Sequence, residues 1–241
     1  MSDARFYFSL RSPYSWLAYQ DLMTHYPDVV RRVEWRPFWE PDEESQRLLA
    51  EADGSFPYVD MSRAKARYIL ADVRRLARAR GLTIVWPVDR KPCWEVCHLA
   101  YLEAHRHGAG QRFIASAYAA RWERGRDITD PAVVADIAAD LGLDPVALST
   151  AVDDPRVRQE GLRALQAIDN DGVFGVPFFI KGRQKYWGVD RLPDFVAEVR
   201  GEPPGQAHQT GRATTPDRPP APLDGAGLGP AADQGHAGGC G

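Results

Sequence analysis

Ser12 and Ser15 stand three residues apart at the start of a stretch that reads as a helix, just after the aromatic run Phe6-Tyr7-Phe8. A serine at the first turn of a helix can cap it, its hydroxyl oxygen accepting a backbone N–H. The same hydroxyl can donate its proton to an anion, and the unpaired N–H groups and positive dipole end at that place favour negative charge. Pro13 suits the first helical position, where a missing N–H costs nothing, and Tyr14, Leu17, Ala18 and Leu22 follow at helical spacing. Arg11, beside the turn, adds positive potential if it points inward. A second group, Cys93 and Cys97 with Trp94 and His98, places two thiols at i, i+4 on a helix. It lacks the partner ligands of a zinc site and the spacing of a Cys-x-x-Cys redox turn, so it reads as buried small residues and no metal is expected.

The elements that must position these residues follow from pattern. The aromatic run is a buried strand, and Val33-Glu34-Trp35-Arg36-Pro37-Phe38 alternates as a second one, so the chain opens β-α-β. An acidic stretch at 40–44 precedes a helix predicted at 45–51. Periodicity predicts further helices at 62–80, 92–107, 111–123, 131–141, 145–152 and 155–170, with a short extended piece at 83–87. Asp130-Pro131 and Asp144-Pro145 each supply an N-cap followed by proline. Strand character returns at 176–180 and 184–187 around Lys181-Gly182-Arg183, which reads as a hairpin turn, and a last helix is predicted at 191–200. The order β-α-β, helical block, β-β-α is an α/β, thioredoxin-like core interrupted by a large α-helical insertion. The core takes residues 1–40 and 172–200 and the insertion 41–171. Residues 201–241, rich in Gly, Pro and Ala, cannot bury enough surface to offset chain entropy and read as a disordered tail holding Cys240.

The 241 residues, 44% hydrophobic and 26% charged, are ordinary for a globular chain that buries a sizeable core. A net charge of −3 argues against nucleic acid as a partner, and the arginines at 74–80 fit the solvated side of an amphipathic helix. No apolar run is long enough to span a bilayer and no signal-peptide core precedes the first strand, so a cytoplasmic location is expected and no membrane partner.

Three segments in this order carry a family resemblance: Phe6-Tyr7-Phe8-Ser9 leading to Ser12-Pro13-Tyr14-Ser15-Trp16-Leu17-Ala18, then Gly172-Val173-Phe174-Gly175-Val176-Pro177, then Tyr186-Trp187-Gly188-Val189-Asp190-Arg191. Over residues 4–200 the chain resembles the 2-hydroxychromene-2-carboxylate isomerases, which belong with kappa-class glutathione transferases in the DsbA-like thioredoxin superfamily. The resemblance implies a homodimer, a small-molecule substrate and a site where Ser12 addresses the sulfur of a bound thiol. It implies a cis bond at Pro177, so that the backbone of Val176 faces the Ser12 turn. It also places Asp190 where the γ-glutamyl amine of glutathione is held, although Asp190 read alone serves equally as the N-cap of the final helix.

In redox relatives the turn carries Cys-x-x-Cys, whose first thiolate is stabilised by the helix N-terminus. With serine at both positions it forms no disulfide, but it can hold the thiolate of another molecule. The expected activity is isomerisation of a conjugated, aromatic or polyketide-like molecule, in aromatic catabolism or natural-product biosynthesis. The chemistry is a thiolate that adds to an electron-poor double bond, allows rotation and leaves. A kappa-type thiol transferase and a non-catalytic small-molecule-binding protein are the alternatives. The cofactor is glutathione or another low-molecular-weight thiol, and two departures from the family pattern speak against glutathione: Val189, and the acidic residues at 40–44, which repel its carboxylates.

Overall fold

Strand β1 (Ala4–Phe8) lies inside a four-stranded sheet ordered β2-β1-β3-β4. The computed structural model describes residues 3–57 and 61–203. β1 pairs in parallel with β2 (Glu34–Pro37) and antiparallel with β3 (Phe178–Lys181), and β3 pairs antiparallel with β4 (Gln184–Trp187). A strand paired at both edges and covered on both faces is apolar along its length. Phe6, Tyr7 and Phe8 are accordingly all buried, with Phe6 stacked on Phe179 at 4.7 Å between ring centroids.

Helices α1 (Pro13–His25) and α2 (Pro27–Val30) carry the chain from β1 to β2. The insertion holds α3 (Glu43–Glu51), α4 (Arg63–Ala79), α5 (Trp94–Arg106), α6 (Gly110–Tyr118), α7 (Pro131–Asp140), α8 (Pro145–Ser149) and α9 (Pro155–Asn170). After the β3–β4 hairpin, α10 (Leu192–Arg200) returns against the sheet. Asp130, Asp144 and Asp154 cap α7, α8 and α9 with a proline at the next position in each case, as their local chemistry predicts. Arg5 and Arg36 both reach Asp171 just past α9, at 2.8 and 3.0 Å, and tie the end of the insertion back to the sheet. The buried apolar residues of sheet and insertion form one continuous cluster, from Phe6 through Leu99 to Ile137.

Some elements differ from the pattern reading. The extended piece at 83–87 joins no strand of the sheet; its Val85 N–H donates to Trp122 C=O at 2.8 Å. The helix predicted over 111–123 ends in a π-wound turn, Ala119–Glu123, which leaves Arg121 buried. Such turns recur at functional sites because the extra residue re-aims a side chain. Pro92 does not open α5, whose N-cap is Cys93. Nothing beyond Pro203 is described, so the tail and Cys240 lie outside the described residues. Among the described residues no helix is long and apolar enough to cross a membrane.

Candidate active site

Loop 9–12 joins β1 to α1 and is held both by its own hydrogen bonds and by bonds from the insertion. Ser12 is the N-cap of α1: its backbone is extended (φ −81, ψ 120) and its Oγ accepts the Ser15 N–H at 3.2 Å. Ser15 Oγ in turn accepts the Ser9 N–H at 3.2 Å, and Ser12 N–H donates to Ser9 C=O at 3.2 Å. Capping and ligand binding are therefore not alternatives for Ser12. The cap uses one lone pair of the hydroxyl and leaves its proton to donate. Ser12 is 0% exposed, so a sulfur that meets this proton must first displace a covering side chain.

Arg11 points inward. It is 8% exposed, its Nη1 donates to Glu40 Oε2 at 2.9 Å, and its guanidinium lies 4.9 Å from the ring centre of Trp94. Arg121 lies 5.0 Å from the same ring and forms a two-pronged pair with Asp89 at 2.8 and 2.7 Å. Two guanidiniums thus pack on one tryptophan, and each is matched by an internal carboxylate. Within the acidic stretch Glu40 faces Arg11, whereas Asp42 caps α3 and pairs with Arg158 at 3.1 Å, and Glu44 leans toward Arg158 at 3.6 Å.

His98 is wholly buried on α5 and links the insertion to the Ser12 loop. Its Nε2 accepts the Leu10 N–H at 3.1 Å and its Nδ1 lies 2.7 Å from Trp94 C=O, which assigns the proton to Nδ1. Burial pulls its pKa down to about 3, so the ring is neutral, and it stacks on Trp39 at 5.4 Å. Glu95, also buried, accepts the Asp42 N–H at 3.0 Å through Oε1 while Oε2 meets no hydrogen-bond donor among the described residues; burial pushes its carboxyl up to about 7. Cys97 is buried and its thiol is raised by burial, so it is inert; Cys93 is half-buried and raised for the same reason. Asp42, Cys93 and Glu95 present donor atoms within 4.8 Å of one another, but Arg158 already brings positive charge to Asp42.

The Val176–Pro177 bond is cis. Carried two positions past the Tyr7–Phe178 pair, the β1–β3 register sets Pro177 beside Phe8 and Val176 beside Ser9, at the strand end where α1 begins. Gly188 N–H donates to Pro177 C=O at 3.0 Å, which fastens the following loop to the same end. Gly188 has φ 101, a conformation that favours glycine, and the nearest atom to a Cβ there would be the tip of the exposed Asp190 side chain at 2.6 Å. Asp190 itself is corrected in one respect. Arg191, not Asp190, is the N-cap position of α10, and no side chain caps that helix. The Asp190 side chain is 72% exposed beside Arg191.

A groove of about 420 Å³ opens next to the Arg11–Glu40 pair, lined by Glu40, Gln46, Leu49, Ser55 and Phe56 among others. Phe56 lines this groove and packs on Phe38 at 5.1 Å. Trp86 and Trp122 pack edge-to-face in the core, Tyr68 is exposed, and Tyr58 lies outside the described residues. Sequence reading passed over Arg121, Glu95 and His98 as site residues. The signal that was available is a charged or polar residue set in an otherwise apolar helical run, as in Trp94-Glu95-Val96-Cys97-His98.

The arrangement has known counterparts. The model of the DSBA-like thioredoxin domain matches residues 4–200. The 2-hydroxychromene-2-carboxylate isomerase of Sphingobium xenophagum is 31% identical over 195 residues, covering 79% of this chain and 94% of that protein. A solved structure of 2-hydroxychromene-2-carboxylate isomerase superposes with a TM-score of 0.65 at 22% identity, over 82% of this chain and 94% of that one. The cytosolic disulfide reductase DsbM of Pseudomonas aeruginosa, solved with GSH, gives 0.53 at 18% identity, over 82% and 97%. A helix-capping serine beside a cis-proline strand, with a helical insertion closing over it, is thus the form taken here by a member of the DsbA-like thioredoxin family, to which this chain belongs as a relative of 2-hydroxychromene-2-carboxylate isomerase.

Proposed function

We propose that the chain is an isomerase of a conjugated, aromatic or polyketide-like small molecule, acting through a thiolate held at the N-terminus of α1. The observation that carries this reading is Ser12, whose oxygen is engaged in capping while its proton stays available where the helix favours an anion. A bound thiol, from glutathione or another low-molecular-weight compound, supplies reversible addition to an electron-poor double bond, which turns as a single bond before the sulfur leaves. Ser12 keeps the sulfur charged by donating to it. The cis Val176–Pro177 segment presents backbone across from that turn for a peptide-like or amide-bearing thiol. The groove walled by Leu49 and Phe56, joined to the turn through the Glu40–Arg11 pair, offers an apolar wall for a flat ring.

Glu40 shapes the choice of thiol. It occupies Arg11, so a carboxylate approaching that guanidinium meets an anion already in place. Glutathione carries two carboxylates and is expected to bind only in the millimolar range. Glu40→Gln should tighten that binding severalfold in calorimetric titration; micromolar binding by the native chain would show that Glu40 does not guard the site.

Following the absorbance of 2-hydroxychromene-2-carboxylate and of neutral conjugated enones, with each of several thiols, tests the reaction class. Turnover with no net loss of thiol is expected. Stoichiometric thiol consumption would make the chain a transferase, and absence of turnover across the panel would make it a binding protein.

A further inference from the structure

The backbone N–H groups that follow β1 and β2 have left the sheet ladder and need other partners. Two are met by one turn of α5. His98 Nε2 accepts from Leu10, two residues before Ser12, and Glu95 Oε1 accepts from Asp42, two residues after Glu40. Glu95 and His98 are three apart on the helix and therefore neighbours on its surface, and both are wholly buried. Trp39, from the segment that Glu95 holds, stacks on the ring of His98, so the two contacts share a wall. Helix α6 adds a third point, Tyr118 Oη donating to Ser9 C=O at 3.1 Å.

We infer that His98 and Glu95 are positioning residues: from the insertion they set the distance between the Ser12 turn and the Glu40 segment, without touching substrate or thiol. The inference rests on the functional reading above. It gives the insertion a role besides covering the groove, because the two core loops that form the site contact one rigid helix in common. His98 is suited to this by being neutral, with Nδ1 engaged by Trp94 C=O so that Nε2 is fixed as an acceptor. Arg11, Arg121 and Cys97 face the ring, and Asp42 and Cys93 face Glu95. None of these replaces either acceptor at the two loop amides.

The test uses the full chain with His98→Leu, which deletes the acceptor, and His98→Gln, which restores one at a similar reach. Amide hydrogen exchange and isomerisation kinetics are read together. In His98→Leu, exchange at residues 9–12 should rise at least tenfold while β3 and α10 stay as in the native chain. The kcat should fall by roughly ten- to a hundredfold, the scale of an ångström-level misplacement, with KM little changed. His98→Gln should recover most of both. If His98→Leu does not fold, Tyr118→Phe provides the milder version, with faster exchange at Ser9 and Leu10 and a severalfold loss of kcat. Unchanged kcat in His98→Leu or in a folded Tyr118→Phe, while Ser12→Ala shows its expected loss of rate, overturns the positioning role and leaves the isomerase reading standing. Unchanged kcat in Ser12→Ala as well overturns the isomerase reading itself.

Discussion

Replacing Ser12 with alanine is expected to lower kcat/KM by about ten- to a hundredfold, because a hydrogen bond to a charged sulfur contributes about 1.5–3 kcal/mol and each 1.4 kcal/mol is a factor of ten. The same change removes the α1 cap and leaves the Ser15 N–H without its acceptor, at a cost of about 1 kcal/mol in stability. The two effects separate experimentally. Chemical denaturation reports the cap, and steady-state kinetics at a temperature where both proteins are folded reports the sulfur contact. Pairing Ser12→Ala with Asp130→Ala, which deletes the cap of α7 instead, controls for the capping loss. That control should lose comparable stability and keep its rate. A rate loss of equal size in both variants would mean that Ser12 matters to activity only as a cap.

The second large effect concerns the two buried titrating groups on α5. Burial holds His98 near 3 against an ordinary value of 6.5. The unfolded chain therefore takes up a proton below 6.5 that the folded chain refuses until about 3, so stability from this residue is complete above 6.5 and is lost on acidification through that window. Glu95 acts in the opposite sense. Burial raises its carboxyl from 4.5 to about 7, so the unfolded chain releases a proton that the folded chain keeps, and stability declines as pH rises between those values. Between 4.5 and 6.5 their slopes oppose each other. Glu95→Gln should gain stability relative to the native chain as pH rises through that range, and His98→Gln should lose less of it on acidification. Urea denaturation at a series of pH values reads this directly. Parallel native and Glu95→Gln curves would mean that Glu95 is ionised in the folded protein near pH 5.

The sequence carried the core fold because its signals are local. An aromatic run, an N-cap serine with proline behind it, Asp-Pro pairs at helix starts and a glycine turn between strands each act within a few residues, and they fix the order of elements. Ser12 was legible on the same grounds, since a cap is a short-range feature. The acidic stretch was legible as charge but not as geometry. Which carboxylate faces Arg11 depends on how the chain leaves β2, where Asp42 N–H donates to Glu95 across 53 positions. His98 pairs with a backbone group 88 positions away, and Arg121 is buried in a π-wound turn with its carboxylate partner Asp89 32 positions away, so neither has a local signature. Residues 83–87 have a strand's composition without a strand's partner, and Asp190 a cap's residue type without a cap's position. Both depend on the neighbours that folding brings.

The claim that the α1 turn holds a thiolate is tested most directly by calorimetric titration of small thiols in buffers of differing ionisation enthalpy, with the native chain and with Ser12→Ala. A free thiol near 8.5 is mostly protonated at neutral pH, so binding as the anion must release a proton to the buffer. The native chain should release close to one proton for each thiol bound, with Ser12→Ala binding about ten- to a hundredfold more weakly and releasing a smaller fraction. Equal affinity and equal proton release in the two proteins would contradict the account.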